Sequence, residues 1–201
     1  RGFASATGIP VSDTQAGKGA INFDHDCAVG GVGSTGSKPA NELAEDADVV
    51  IGIGTRYSDF TTASHTAFRN LDVKFVNINV GAFDASKHAA EMVVSDAREA
   101  LLALGEKLQG YHVEESYTAQ IAELRSEWEA TIDEYSGMDL QPKPSQLEVF
   151  GALNEMMGED DVVIPIAGIL DVLDNYAFVR TSGYLPGPSD VYVSLGQVKK
   201  Y

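Results

Sequence analysis

Three groups of residues in this chain could do chemistry. The first is a glycine set: Gly31, Gly33 and Gly36 in "GGVGSTGS" spell G-x-G-x-x-G. That spacing belongs to loops that cradle a pyrophosphate, where the first glycine ends a buried strand and the third opens a helix facing the anion. The second is a pair of cations beside apolar runs. Arg56 in "GTRYSDFTT" can fork onto a phosphate or carboxylate, or it can pair with Asp59 to hold its own loop. Lys18 in "AGKGA" lacks the G-x-x-x-x-G-K-[ST] frame of a phosphate loop and reads as a turn lysine. The third is His25 with Cys27, two possible metal ligands. A zinc site needs three or four, and no partner pair has suitable spacing. A loop-capping histidine and a small buried thiol are therefore expected. His65, His88 and His112 are scattered and stand near no Ser or Cys nucleophile motif. No residue is assigned a catalytic or metal-binding role.

The elements that must position these groups follow from apolar periodicity. "GIPVSDT", "DVVIGIGT", "VKFVNINV" and "EMVVSD" read as buried strands. "ANELAEDA" reads as a short helix with Pro39 in its first turn, and "DAREALLALGEKLQG" as an amphipathic helix capped by Asp96 and stopped by Gly110. Continuous apolar strands alternating with helices predict a Rossmann-like parallel sheet with helices on both faces, an α/β fold. Ligands of such sheets bind beyond the C-terminal strand ends, which nominates "QAGKGA", "GTRYSDFTT" and "NVGAFDASKH". The glycine loop fits this frame only downstream. "FDHDCAV" before it carries three charged or titratable groups and no four-residue apolar run. No strand is expected there, and the glycines are expected to pass close to a neighbouring backbone or to a ligand reached from elsewhere.

Farther on, Tyr117, Ile121, Leu124, Trp128 and Ile132 recur at helical spacing. "MDLQPKPSQ" is a Pro-punctuated linker. "PSQLEVFGALNEMMGEDDVVIPIAG" then reads as a capped helix, a turn and a buried strand. The predicted organisation is a central Rossmann-like domain over 1–110, a helical linker over 111–143 and the start of a second α/β unit over 144–201.

Composition bounds the function. The 201 residues carry a formal net charge of -16, with a pI near 4.4, which argues against nucleic-acid and anionic-membrane partners. A single cysteine rules out an internal disulfide and suggests a reducing, cytoplasmic setting. No stretch approaches the roughly 20 apolar residues of a membrane span. The opening "RGFASATGIP" has no initiator Met and reads as the end of a helix, as in a fragment.

Taken in order, "GIPVSDTQAGKGA", "DHDCAVGGVGSTGSKPANELAEDADVVIGIGTRYSDFTT", "KFVNINVGAFDASKHAAEMVVSDAREALLAL" and "PSQLEVFGALNEMMGEDDVVIPIAG" resemble the middle of a thiamine-diphosphate-dependent enzyme of the acetohydroxyacid synthase and pyruvate oxidase type. "TQAGKGA", "IGIGTRYSDFTT" and "NINVGAFDASKHA" are most similar to its branch of cyclic-dione hydrolases in myo-inositol catabolism. The resemblance covers about residues 1–168. It implies a parent of three α/β domains that uses thiamine diphosphate and Mg2+ to hydrolyse a C–C bond of a small cyclic 1,2-diketone, as a homodimer or homotetramer. It also implies that the activating glutamate and the domain's first strand lie outside this chain, and that the fragment alone is inactive. The family's G-D-G magnesium motif is absent here. In flavin-binding relatives the groove is lined by positions matching Gly33, Ser34, Thr35, Gly36, Thr55 and Arg56, so FAD or ADP is the cofactor the groove could take. The alternatives are a nucleotide-binding domain without thiamine chemistry and a purely structural domain. After Gly168 the text departs from the family pattern.

Overall fold

β-Branched runs become strands and the polar breaks between them become single-turn helices. The computed structural model describes residues 1–157 together with the backbone of the strands Ile169–Val172, Tyr176–Arg180 and Val191–Ser194. The strand expected in "DVVIPIAG" lies outside the described residues. The chain divides into two compact units, Arg1–Gly151 and Ala152–Tyr201.

The first unit opens with helix α1 (Gly2–Thr7), closed by Gly8 in the left-handed conformation at φ 68°. Strand β1 (Val11–Asp13) follows, then β2 (Ala28–Gly31), helix α2 (Lys38–Glu45) and β3 (Val49–Ile53). Next come the short helix α3 (Asp59–Thr62), β4 (Lys74–Asn79), another short helix α4 (Ala82–Ala85) and β5 (Glu91–Val94). Helices α5 (Ala97–Lys107) and α6 (Glu115–Ser136) complete the α/β layer, and α7 (Gln146–Met156) runs across the boundary. Asp96 caps α5 as expected, accepting from the Arg98 and Glu99 amides.

All strand pairs in this unit are parallel, as predicted. They form two ladders, β1–β2 and β3–β4–β5, where one continuous sheet was expected. The second difference is β2 itself. It is a strand of small residues, Ala28, Val29, Gly30 and Gly31, too short and too weakly apolar to stand out after the acidic stretch. A strand therefore does precede the glycine loop, and α2 follows it.

Two apolar clusters hold these pieces. Val29, Ala40 and Leu43 pack with Ile121 and Leu124, with Val32 and Tyr117 at the margin. Burial of each large aliphatic side chain contributes about 1.5–3 kcal/mol. The stripe on α6 is thus buried in its first half, whereas Ile132 is 38% exposed. Ala4, Ile21, Cys27 and Ala28 form the other cluster, with Val11 beside them.

In the second unit the described strands β6 (Ile169–Val172), β7 (Tyr176–Arg180) and β8 (Val191–Ser194) form an antiparallel meander in that order. The helix of the α–β step expected from residue 144 is α7, and these strands follow in the tail after Gly168.

Candidate functional site

The C-terminal ends of β2, β3 and β4 carry the groups nominated from the sequence, and hydrogen bonds tie their loops together. The glycine loop turns at Gly33, with φ at 110°. Asn41 on α2 clamps that residue from both sides: the Gly33 amide donates to Asn41 Oδ1 at 2.9 Å, and Asn41 Nδ2 donates to the Gly33 carbonyl at 3.0 Å. The Ser34 amide donates to the Phe60 carbonyl at 2.8 Å, which joins this loop to the one after β3. Val32 donates to Asp13, Gly36 to Gly33 and Ser37 to Gly31. The Ser37 hydroxyl donates to the Val29 carbonyl at 2.7 Å and accepts from the Ala40 amide as the cap of α2.

These bonds decide what the loop can do. A phosphate cradle needs amides that point outward and are free. Among residues 32–37, only the Thr35 amide makes no hydrogen bond within the described residues. Gly33 is buried, while Ser34 and Thr35 are exposed. A Cβ on Gly33 would lie 2.0 Å from the Phe60 carbonyl oxygen. One on Gly36 would lie 2.6 Å from the Gly31 carbonyl oxygen. The glycines therefore let backbone pass against backbone.

The second loop is pinned from β4 and from the turn after α4. Asn79 Nδ2 donates to the Thr55 carbonyl at 3.1 Å, and the Tyr57 amide donates to Thr55 Oγ1 at 3.1 Å. Lys87 Nζ donates to the Arg56 carbonyl at 2.6 Å and pairs with Asp84 at 2.7 Å. The Arg56 side chain is exposed, and its guanidinium forms no ion pair among the described residues. Arg56 and Asp59, one of the two readings for this arginine, do not pair; the Asp59 carboxylate accepts from the Ser64 hydroxyl at 3.2 Å. Gly33, Ser34, Thr35 and Gly36 thus share one edge of the unit with Thr55 and Arg56, and the Ser34–Phe60 bond joins their two loops.

Beneath the loops lies a buried polar pair that the sequence reading did not single out. Tyr57 donates to Asn77 Oδ1 at 2.8 Å, and Asn77 Nδ2 donates to the Lys87 carbonyl at 3.0 Å. Asn77 is only 2% exposed, and burial pushes the Tyr57 hydroxyl up from its ordinary value. Gly52 makes room for this pair, since a Cβ there would lie 2.0 Å from the Tyr57 oxygen. The available signal was "VNINV": two asparagines two apart on one face of a buried strand must find partners.

Lys18 sits exposed in a turn whose Gly19 amide donates to Asp13 Oδ2 at 3.1 Å. His25 caps its loop as expected. The Cys27 amide donates to Nδ1 at 3.0 Å, which places the proton of a neutral ring on Nε2, 2.9 Å from the Ser5 hydroxyl. That tautomer donates to Ser5 and cannot serve as its base. Cys27 is buried and donates to the Ala4 carbonyl; burial, then the nearby Asp26 charge, pushes its thiol up. Among the described residues no three His, Cys, Asp or Glu side chains gather as metal ligands, and no helix is long and apolar enough to cross a membrane.

Comparison with known proteins agrees with this fold. Residues 1–104 match the family model of the thiamine pyrophosphate enzyme central domain. Residues 166–201 match a different model, the RNA-binding domain of Rho termination factor. Two relatives from one strain of Bacillus cereus, named 3D-(3,5/4)-trihydroxycyclohexane-1,2-dione hydrolase 2 and 1, are 41% and 40% identical over 192 residues. Each alignment covers 84% of this chain and 30% of the relative. A hydrolase of the same name from Bacillus anthracis is 45% identical over 157 residues, 78% of this chain and 24% of the relative. The chain thus spans less than a third of the length of these relatives. The parallel strands, the loops joined at their C-terminal ends and the match over residues 1–104 together show that this chain belongs to the thiamine pyrophosphate enzymes, through their central domain.

Proposed function

We propose that this chain is the central part of a thiamine-diphosphate- and Mg2+-dependent enzyme that hydrolyses a C–C bond of a cyclic 1,2-dione in inositol catabolism. In this reading residues 1–110 form a structural domain, 111–143 a helical linker, and the family's third domain begins at 144. The parent is a cytoplasmic homodimer or homotetramer acting on a small molecule. The observation that carries the reading is the 39–45% identity to relatives bearing the hydrolase name. The residues present do not fit thiamine diphosphate itself. The chain contains no G-D-G, and the described residues gather no set of carboxylate or imidazole metal ligands. This part therefore positions its neighbours and carries no reaction step. Calorimetric titration of the chain with thiamine diphosphate and magnesium should show nothing tighter than millimolar binding. Micromolar binding would overturn the structural reading.

A second reading makes Gly33, Ser34, Thr35, Gly36, Thr55 and Arg56 a groove for FAD or ADP. The Arg56 guanidinium and the Thr35 amide, neither with a partner among the described residues, favour it; the internally bonded amides of the loop count against it. Fluorescence titration with both nucleotides decides, with saturable micromolar binding supporting the groove.

A third reading concerns the tail alone. The acidic excess that argued against nucleic acid lies before residue 166: Asp171, Asp174 and Asp190 are balanced by Arg180, Lys199 and Lys200. The Rho-type match supports an RNA-binding role for 166–201 against which this balance raises no charge objection, and the third-domain assignment then extends only to 165. Single-stranded RNA titrated into the full chain should bind more weakly as salt rises. Absence of binding at low salt would remove this reading.

A further inference from the structure

Two strained segments meet beside the loop that carries Arg56. Ala63, Ser64 and His65 are consecutive non-glycine residues with positive φ, at 47°, 54° and 66°. His88 and Ala89, after α4, stand at 60° and 50°. Residues persist in this region only when their surroundings over-determine them.

The surroundings here are rings. His88 stacks on Phe75 at a centroid distance of 4.7 Å and an interplanar angle of 20°, and it meets Tyr57 edge-on at 4.7 Å. The His65 ring lies 6.0 Å from that of His88. The groups facing His88 are thus the Tyr57 phenol, the His65 imidazole, the apolar Phe75 ring and, on its own turn, the Lys87 ammonium. Lys87 is already engaged by Asp84 and the Arg56 carbonyl. No carboxylate pairs with either histidine among the described residues. Burial, then His65 and Lys87, holds His88 below its ordinary value.

We propose that His65 and His88 form a proton-sensitive latch on the segment between β3 and β4. With the His88 ring neutral, the stack holds Tyr57 over Asn77 and keeps the Lys87 turn against Arg56. Protonation of the half-buried His88 sets its charge beside the Lys87 ammonium with no carboxylate of its own among the described residues, since Asp84 is already bound to Lys87. The rings part, and the left-handed residues relax. The loop carrying Arg56 and Phe60 then loosens, together with the Ser34 contact to the glycine loop. The sign is fixed by the direction of the shift. A histidine held below its ordinary value stabilises the closed form above that value, and this stabilisation is lost as pH falls.

Hydrogen exchange of the full chain tests this. The Thr62, Thr66 and Ala67 amides donate to the Ser58 and Thr62 carbonyls within the latch segment, and the Asn41 amide on α2 serves as the control. Corrected for intrinsic exchange, protection of the first three should fall about tenfold between pH about 7.5 and about 5, while Asn41 changes little. His88→Asn tolerates positive φ and does not titrate, so it should abolish that pH dependence. His65→Asn should weaken it and raise the midpoint of the His88 ring resonance. Should His88→Asn fail to fold, the wild-type ring midpoint and His65→Asn suffice. The latch is refuted by unchanged protection, by an equal drop at Asn41, by an equal drop in a folded His88→Asn, or by a His88 midpoint at or above the ordinary histidine value.

Discussion

Gly33→Ala isolates the question of what the glycine loop is for. The new Cβ would lie 2.0 Å from the Phe60 carbonyl oxygen and 2.9 Å from both the Phe60 carbonyl carbon and Thr61 Cα. All three are backbone atoms, so no rotamer change relieves the contact. Holding alanine at a φ of 110° costs about 1–3 kcal/mol. Pushing back the 60–61 backbone costs about 1–3 kcal/mol, as overpacking does elsewhere. Losing the Ser34–Phe60 hydrogen bond removes about 0.5–1.5 kcal/mol. The sum, about 2.5–7.5 kcal/mol, is a large part of the about 5–15 kcal/mol that holds an ordinary domain together. Gly54→Ala is the control. Its φ is 64° and nothing stands within 4 Å of the added atom, so only the left-handed penalty of about 1–2 kcal/mol applies. Urea unfolding of the full chain, followed by far-ultraviolet circular dichroism, measures both variants. If Gly33→Ala is no more destabilising than Gly54→Ala, the backbone-packing account fails. Unchanged stability with lost nucleotide binding would instead identify a phosphate loop.

Further expectations concern the neighbouring contacts. Tyr57→Phe leaves the buried Asn77 oxygen unpartnered and should cost about 1–3 kcal/mol in the same unfolding assay. Asn41→Ala removes both bonds to Gly33 and should cost about 1–3 kcal/mol, with Asn41→Asp as a partial replacement because it keeps only the acceptor. Arg56→Ala should leave the melting temperature unchanged, since its guanidinium has no partner among the described residues; if FAD or ADP binds at this edge, the same variant should weaken it by about 1.5–3 kcal/mol. Cys27 should react with a thiol reagent far more slowly than free cysteine at neutral pH, and fast labelling of the folded chain would contradict its burial.

The elements easiest to read were those carrying a continuous β-branched apolar run, although in β3 only Gly52 is buried. "DVVIGIGT" and "VKFVNINV" are rich in β-branched residues, and β3 and β4 lie within them. The cap at Asp96 was equally legible because capping is a local interaction. β2 was not, since four small residues carry little apolar signal and are held by Asp13, Ser37 and α2. The Arg56–Asp59 pairing looked plausible from spacing, yet Ser64, the middle one of three left-handed residues, donates to Asp59 instead. Positive φ at alanine, serine and histidine leaves no trace in composition. The glycine loop was ambiguous for the same reason. Its amides are satisfied by Asn41 and Phe60, and only a folded chain shows which donors remain free.

The separation of the parallel strands into two ladders bears on how this chain behaves in solution. Among the described residues, β1, β2, β3 and β5 each have a partner on one side only. Along β5, Met92 and Val94 are about half exposed beside that open side. Unpaired backbone donors and acceptors of this kind are templates for another chain, and proteins usually guard them with charge. Here the guard is collective: a net charge of -16 makes copies repel one another at range. Salt shortens that range to about 8 Å at physiological strength. The isolated chain should therefore be most dispersed in dilute buffer and self-associate as salt is added, the reverse of a protein whose copies are drawn together by opposite charges.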